Sequence, residues 1–241
     1  MRGVQIGLAW VMLGVLLDGG SSRGETEAHA IAIPPALATE DALSQWTTYY
    51  YLHPDSSLVV PAIRQLAAFG YFDDDADATD APLIGFLSGL FAQSPTHIEA
   101  WLRELDDLDP HAKDVVKRAV ELANLPEKDF LALEVTSPAM LDLLWGRFLS
   151  SGEAAYARRV MSILPWKDQH EDLQQAIIGE AAYWSLTSNA LQHERVLALC
   201  RHEMKTSSAS VRAILAEIVR RVEAERAKPA HADEDSPVMS Q

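Results

Sequence analysis

DDDADATD, Asp73 to Asp80, is the stretch of this chain whose residue types most plainly suggest chemistry. Asp73, Asp74, Asp75 and Asp77 repel one another unless water or a cation screens them, and oxygen-rich loops suit Ca²⁺. Against the EF-hand pattern, Asp73, Asp75, Asp77 and Thr79 fall at positions one, three, five and seven. The match then fails. Ala78 stands where glycine makes the turn, and Ile84 stands where a bidentate Glu belongs. Asp73, Asp75 and Asp77 are therefore the candidate Ca²⁺ ligands, set against a solvated acidic loop whose last member, Asp80, caps the helix opened by Ala81-Pro82. No other cofactor is suggested.

The histidines supply less. His193-Glu194 begins H-E-x-x-H, but Leu197 occupies the fifth position, and the zinc-protease pattern is lost. His202 lies about 180° round a helix from His193, so one helix cannot aim both at one metal. His97, His111 and His170 sit near three different helix starts. Neither a G-x-S-x-G elbow, nor a P-loop, nor a Rossmann fingerprint occurs. Cys200, the single cysteine, lies in VLALC and reads as a buried structural thiol. Arg158-Arg159, and Arg220-Arg221 with Arg212 and Arg226, read as partners of nearby acids or of helix C-termini before they read as an anion site.

The densest aromatic stretch is WTTYYYLHP, residues 46 to 54. On a helix Ala42, Leu43, Trp46, Tyr49, Tyr50 and His53 form one stripe, with Tyr51 to the side. That spacing describes a helix covered by its neighbours rather than a sugar or cation platform. His53 precedes Pro54, which ends the helix there. This W-x-x-Y-Y-x-x-H-P opening, followed by a capped helix and the Asp-rich loop, resembles exported bacterial proteins of all-helical type over residues 43 to 125. The resemblance implies export and helices. No activity is assigned to that group, so it carries no site residue.

These residues must be positioned by helices. Thr39, Asp55, Ser94-Pro95, Asp109-Pro110, Ser137-Pro138 and Ser207-Ser208 mark starts, while Gly70, Gly152 and Pro165 mark stops. Apolar residues recur at three and four, as in Leu58, Ala62, Ile63, Leu66 and Phe69, or Val211, Ile214, Leu215, Ile218 and Val222. Strand-like alternation is absent. The spacing predicts an all-α fold of about ten antiparallel-stacked helices, as an irregular array or a short solenoid-like one.

The ends read differently. Arg2, the apolar run Ile6 to Leu17, the break at Asp18-Gly19-Gly20 and the small-x-small site Ala28-His29-Ala30 have the layout of a secretory signal peptide. The run is too short to span a bilayer, which takes roughly 20 apolar residues. The expected organisation is a signal at 1–30, a flexible linker at 31–38, one all-α domain at 39–227 and a disordered acidic tail at 228–241. The expected location is periplasmic or extracellular.

With 20 Lys+Arg against 35 Asp+Glu, the net charge is −15. Nucleic acid, which demands clustered cations, is a poor partner, and the mature chain has no membrane span. Another protein, favoured if basic, fits the field better. The function favoured by the sequence is accordingly a protein-interaction module, an adaptor or an immunity-type binder. The alternative is an extracytoplasmic enzyme whose site is assembled from separated residues such as His53, Asp75, His97 and His111.

Overall fold

A computed structural model describes residues 34–72, 80–169 and 171–228. The expected signal segment, Asp73, Asp75, Asp77, His170 and nearly all of the tail lie outside these residues. Among the described residues the fold is all-α, with eleven α-helices, short 3-10 turns and no strand. None of the helices is long and apolar enough to cross a membrane. The helices are α1 (Glu40–Tyr49), α2 (Val59–Ala68), α3 (Ala81–Gln93), α4 (Ile98–Glu104), α5 (Pro110–Ala123) and α6 (Glu127–Leu131). They continue with α7 (Pro138–Ser151), α8 (Ala154–Ile163), α9 (Leu173–Gln192), α10 (Glu194–Glu203) and α11 (Ala209–Arg226). The chain falls into two compact units, one ending at Ala182 and one starting at Tyr183, so the division of the expected domain 39–227 lies inside α9.

Several starts form by the local chemistry expected of them. Thr39 Oγ1 accepts the Ala42 N–H at 3.1 Å, Asp55 Oδ1 accepts that of Ser57 at 2.9 Å, and Asp109 Oδ1 accepts that of Ala112 at 2.9 Å. Ser94 and Ser137 stand at the predicted starts, but their hydroxyls make no cap bond. Asp80 differs also. Its backbone is already helical, which turns the carboxylate away from the first N–H groups, and it faces His111 instead at 3.3 Å. Gly70 (φ 79) and Gly152 (φ 69) close α2 and α7 in the left-handed region.

In the first unit α3 is the centre. APLIGFLSGLFAQ carries no charge, and residues 81 and 83–91 are all buried. It packs on α7 and α5, while α7 packs also on α8. The contact with α7 is made by backbone. A methyl group added at Gly85 would stand 2.8 Å from the Leu143 Cα, and one at Gly146 would stand 2.7 Å from the Gly85 carbonyl carbon. At Gly89 it would meet the Ser150 side chain, with Ser150 Cβ at 2.8 Å. Gln93 then ties the two helices, its Nε2 donating to Gly89 O at 2.9 Å and Ser150 O at 3.0 Å.

The tyrosines belong to this core. Tyr50 is buried, and Trp46, Tyr50 and Phe86 meet edge to face with centroids 5.0, 5.6 and 5.9 Å apart. Tyr51 packs beside Gly152 and on Phe148 at 5.3 Å. His53 leaves the stripe and is exposed, because Tyr50–Leu52 tighten into a 3-10 turn.

A further difference lies at the α9–α10 junction. The sequence sets His193 and His202 on one helix; instead α9 runs on to Gln192, and His193, with extended backbone (φ −114, ψ 113), separates it from α10.

Backbone contact at Gly85 and Gly146 gives a specific expectation. Gly85→Ala and Gly146→Ala should each destabilise the protein by roughly 1–3 kcal/mol, the cost of overpacking. Gly89→Ala should destabilise it too, but Ser150→Gly should recover much of that loss, since the clash there is with a side chain. Urea melts of the single and double variants measure this, and rescue of Gly85→Ala by Ser150→Gly would contradict it.

Candidate functional site

Among the described residues α9 is the longest helix and carries almost no charge: in 20 residues, LQQAIIGEAAYWSLTSNALQ, only Glu180 is ionisable in the neutral range. Asp172 Oδ1 caps its first turn through the Gln175 N–H at 3.0 Å. One face packs inward through Ile178, Ala182, Leu186 and Ala190. The opposite face presents apolar residues as well, with the exposed Glu180 among them. Leu173 is 74% exposed, Ile177 41%, Trp184 44% and Leu191 41%. At 100° per residue these four fall within about 40° of arc. Leu173 and Ile177 belong to the first unit, and Trp184 and Leu191 belong to the second, where the supporting contacts are found.

The C-terminal half of this face is held rigidly within the second unit. Arg226 of α11 donates from Nη2 to Ala190 O and to Leu191 O, each at 2.8 Å, and from Nε to Leu191 O at 3.2 Å. These are the orphan carbonyls at the end of α9. Arg226 also pairs with Glu194, which pairs with Arg201 at 3.1 Å, and Arg201 reaches Glu223 at 2.9 Å. Over the Trp184 ring lies the Arg221 guanidinium, 4.5 Å from the centroid. Tyr183 meets Trp184 edge-on at 5.6 Å and donates its hydroxyl to Glu217 Oε1 at 2.8 Å. Burial raises the Tyr183 pKa, so the hydroxyl stays a donor. Trp, Tyr and Arg are the side chains that dominate binding energy at interfaces.

The candidates read from sequence are placed elsewhere. His53 is exposed, His97 stacks on Trp101 at 5.4 Å, and His111 faces Asp80. His193 is buried in the second unit. Among the described residues no three of His, Cys, Asp and Glu converge where a metal could sit. The Ca²⁺ candidates Asp73, Asp75 and Asp77 fall outside those residues. An apolar pocket beside Phe130, Leu133, Met140 and Arg159 has a cavity of about 10 Å³, room for one water. Ligand clefts are of the order of 300–1,000 Å³.

Members of the basic clusters are engaged locally. Arg159 donates to Leu133 O at 3.3 Å, Arg212 donates to Ser207 O at 3.1 Å, Arg221 lies over Trp184, and Arg226 serves the end of α9. Sequence reasoning passed over Leu173, Ile177, Trp184 and Leu191. Their signal was present as the spacing 4, 7 and 7 on a nearly uncharged helix, but periodicity does not say which apolar face is covered.

Three titratable groups are strongly shifted. Burial lowers His193 to about 4, keeping it neutral in the fold; its contribution to stability is present above pH 6.5 and lost as pH falls towards 4. Burial pushes the Cys200 thiol up to about 12, far from a nucleophile. Burial also pushes the Asp142 carboxyl up to about 7 from 3.8.

For Asp142 the sign is opposite to that of an ion-paired acid. The folded state binds the proton more tightly than the unfolded one, so stability is greatest below pH 3.8 and is lost as pH rises through 7. Asp142→Asn should therefore stabilise the protein at pH 8 and change little at pH 3.5. About three units at about 1.4 kcal/mol each set a ceiling near 4 kcal/mol. Paired denaturant melts at the two pH values test this, and equal effects at both would refute it. Cys200 should react with a maleimide only as fast as the native fold opens, and immediate labelling would contradict its burial.

Comparison of the chain with family models, with curated proteins and with solved structures finds no match, so the argument for function rests on the α9 face and the charge of the chain.

Proposed function

We propose that this is an extracytoplasmic protein-interaction module, an adaptor or an immunity-type binder, that associates through the outward face of α9. The observation that carries the reading is the pair Trp184 and Leu191 of the second unit, 44% and 41% exposed on a helix pinned at its end by Arg226. Exposed apolar side chains scattered singly need no explanation, whereas a row rimmed by polar groups marks an association surface. The supports around it are equally specific: Arg221 and Glu217 fix the Trp184–Tyr183 pair, so little side-chain freedom is lost on contact.

The rest of the chain supplies a field. At −15, it attracts a basic protein and repels polyanions, raising the encounter rate with the former. The signal-peptide layout of residues 1–30 supports an encounter outside the cytoplasm.

Two measurements test the reading. N-terminal sequencing of protein recovered from the extracytoplasmic fraction should find a chain that begins near residue 31; a cytoplasmic chain that keeps Met1 would remove the location. Affinity capture from extracytoplasmic extract should retain a specific protein at low salt and release it as salt rises. Leu191→Glu, which alters an exposed side chain, should weaken retention at least tenfold without loss of helix. Absence of any retained protein, together with turnover of a hydrolase substrate abolished by His111→Ala, would replace the module with an enzyme.

A further inference from the structure

We infer that the chain's own tail, residues 229–241, docks on the Trp184–Leu191 pair and competes there with an incoming protein. The inference rests on the reading of that pair as an association surface. Every residue of the contact belongs to the second unit. The tail, PAHADEDSPVMSQ, lies beyond the described residues, but the place from which it departs does not.

Connectivity comes first. Tyr183 of α9 reaches Glu217 of α11, Trp184 lies under Arg221, and the Ala190 and Leu191 carbonyls accept from Arg226. Residue numbers rise together along both helices, so this half of α9 and α11 run parallel. α11 therefore ends beside the end of α9, and Lys228, two residues past Arg226, delivers the tail next to Leu191. From Leu191 back to Trp184 is seven positions, about 10 Å at 1.5 Å per residue. Val238 stands ten residues past Lys228, and ten extended residues span about 33 Å. The tail is long enough to turn at Leu191 and run back over Trp184.

Composition supplies the fit. The tail carries an acid run, Asp233-Glu234-Asp235, and then an apolar pair, Val238-Met239. The surface offers the complement of both: Arg221 is exposed over the Trp184 ring, and Trp184 and Leu191 are the exposed apolar side chains beside it. Carboxylates suit a guanidinium, and a thioether suits an aromatic ring. A separate acidic protein would find the same Arg221, but a chain of −15 repels it. A tethered segment meets the surface at an effective concentration in the mM range, so a contact too weak to hold a free peptide is still populated. An incoming protein then binds with an affinity reduced by the fraction of chains whose surface is open.

Two cysteine pairs test the docking in the full chain. Ser188 lies between Trp184 and Leu191 on the same side of α9, whereas Ala216 is exposed about 140° round α11 from Arg221. Both are within reach of residue 240. Under mild oxidation Ser188→Cys with Ser240→Cys should close an intramolecular disulfide at least tenfold faster than Ala216→Cys with Ser240→Cys. Cys200 is buried and does not compete. Joint replacement Asp233→Asn, Glu234→Gln and Asp235→Asn should lower that preference severalfold. In nuclear magnetic resonance spectra the Trp184 indole signal, assigned through Trp184→Phe, should shift when the chain is ended after Lys228.

Equal closure of the two disulfides overturns the inference, and so does a Trp184 signal indifferent to removal of the tail. Capture of a protein that is weakened by Leu191→Glu, but not strengthened when the chain ends at Lys228, overturns the competition and leaves the interaction module standing. Preferred closure at Ser188 in a protein that captures nothing supports the docking and removes the module.

Discussion

The first unit depends on one contact: α3 and α7 touch backbone to backbone because Gly85 and Gly146 lack side chains where they meet. Two helices with ordinary side chains keep their axes about 8–10 Å apart, and small residues allow a closer approach. The close approach explains why α3 can be buried on all sides, since α7 leaves no gap beside it. It also fixes what is attached. Phe86 lies next to Gly85, and Trp46 and Tyr50 pack on Phe86, so the aromatic opening of the chain is laid against the α3–α7 seam. Arg147 follows Gly146, and its guanidinium is therefore carried to the end of α5.

That arginine shows how a chain short of cations uses them. Arg147 is 4% exposed, donates from Nη2 to Leu122 O at 2.8 Å and lies 4.4 Å over the Phe130 ring. Burial lowers its pKa, but the carbonyls that end a helix carry partial negative charge and the ring face offers more. Arg64 on α2 donates to Glu104 O at the end of α4 and pairs with Asp107 at 2.7 Å. Arg226 does the same for α9. In each case an arginine from one helix satisfies the last carbonyls of another, which a carboxylate cannot do. Lysine, with a single ammonium head, would not span two adjacent carbonyls as the fork of Arg226 does.

What was legible in the sequence follows from how local each cause is. Thr39, Asp55 and Asp109 cap within three residues, so their helices could be read directly. α6 escaped because five residues give no period to read. The α9–α10 break escaped because His193 is neither glycine nor proline; it is extended there and buried by residues that sequence order does not reveal. Asp80 was assigned a cap on composition, whereas its helical backbone and the nearby His111 decide otherwise. The glycines of GFLSG were visible, yet their partner Gly146 lies sixty positions on, and only packing joins them.

The α9 face raises the converse question, why an apolar row should be kept where the fold does not need it. Ile177 and Leu191 are each 41% exposed, and a glutamate or lysine at either would leave the inward residues Ile178, Leu186 and Ala190 untouched. At roughly 25 cal/mol per Å², apolar surface left in water contributes nothing to folding and favours association. Elsewhere the chain meets solvent with charge: α11 exposes Glu217, Arg220, Arg221 and Glu223 on the side away from its buried Ile218 and Val222. α9 has the length and the capped start of an ordinary surface helix and departs only in what it presents. A solubility requirement alone would fill positions 184 and 191 with ions, and Trp and Leu there are the residues that the association surface proposed above would use.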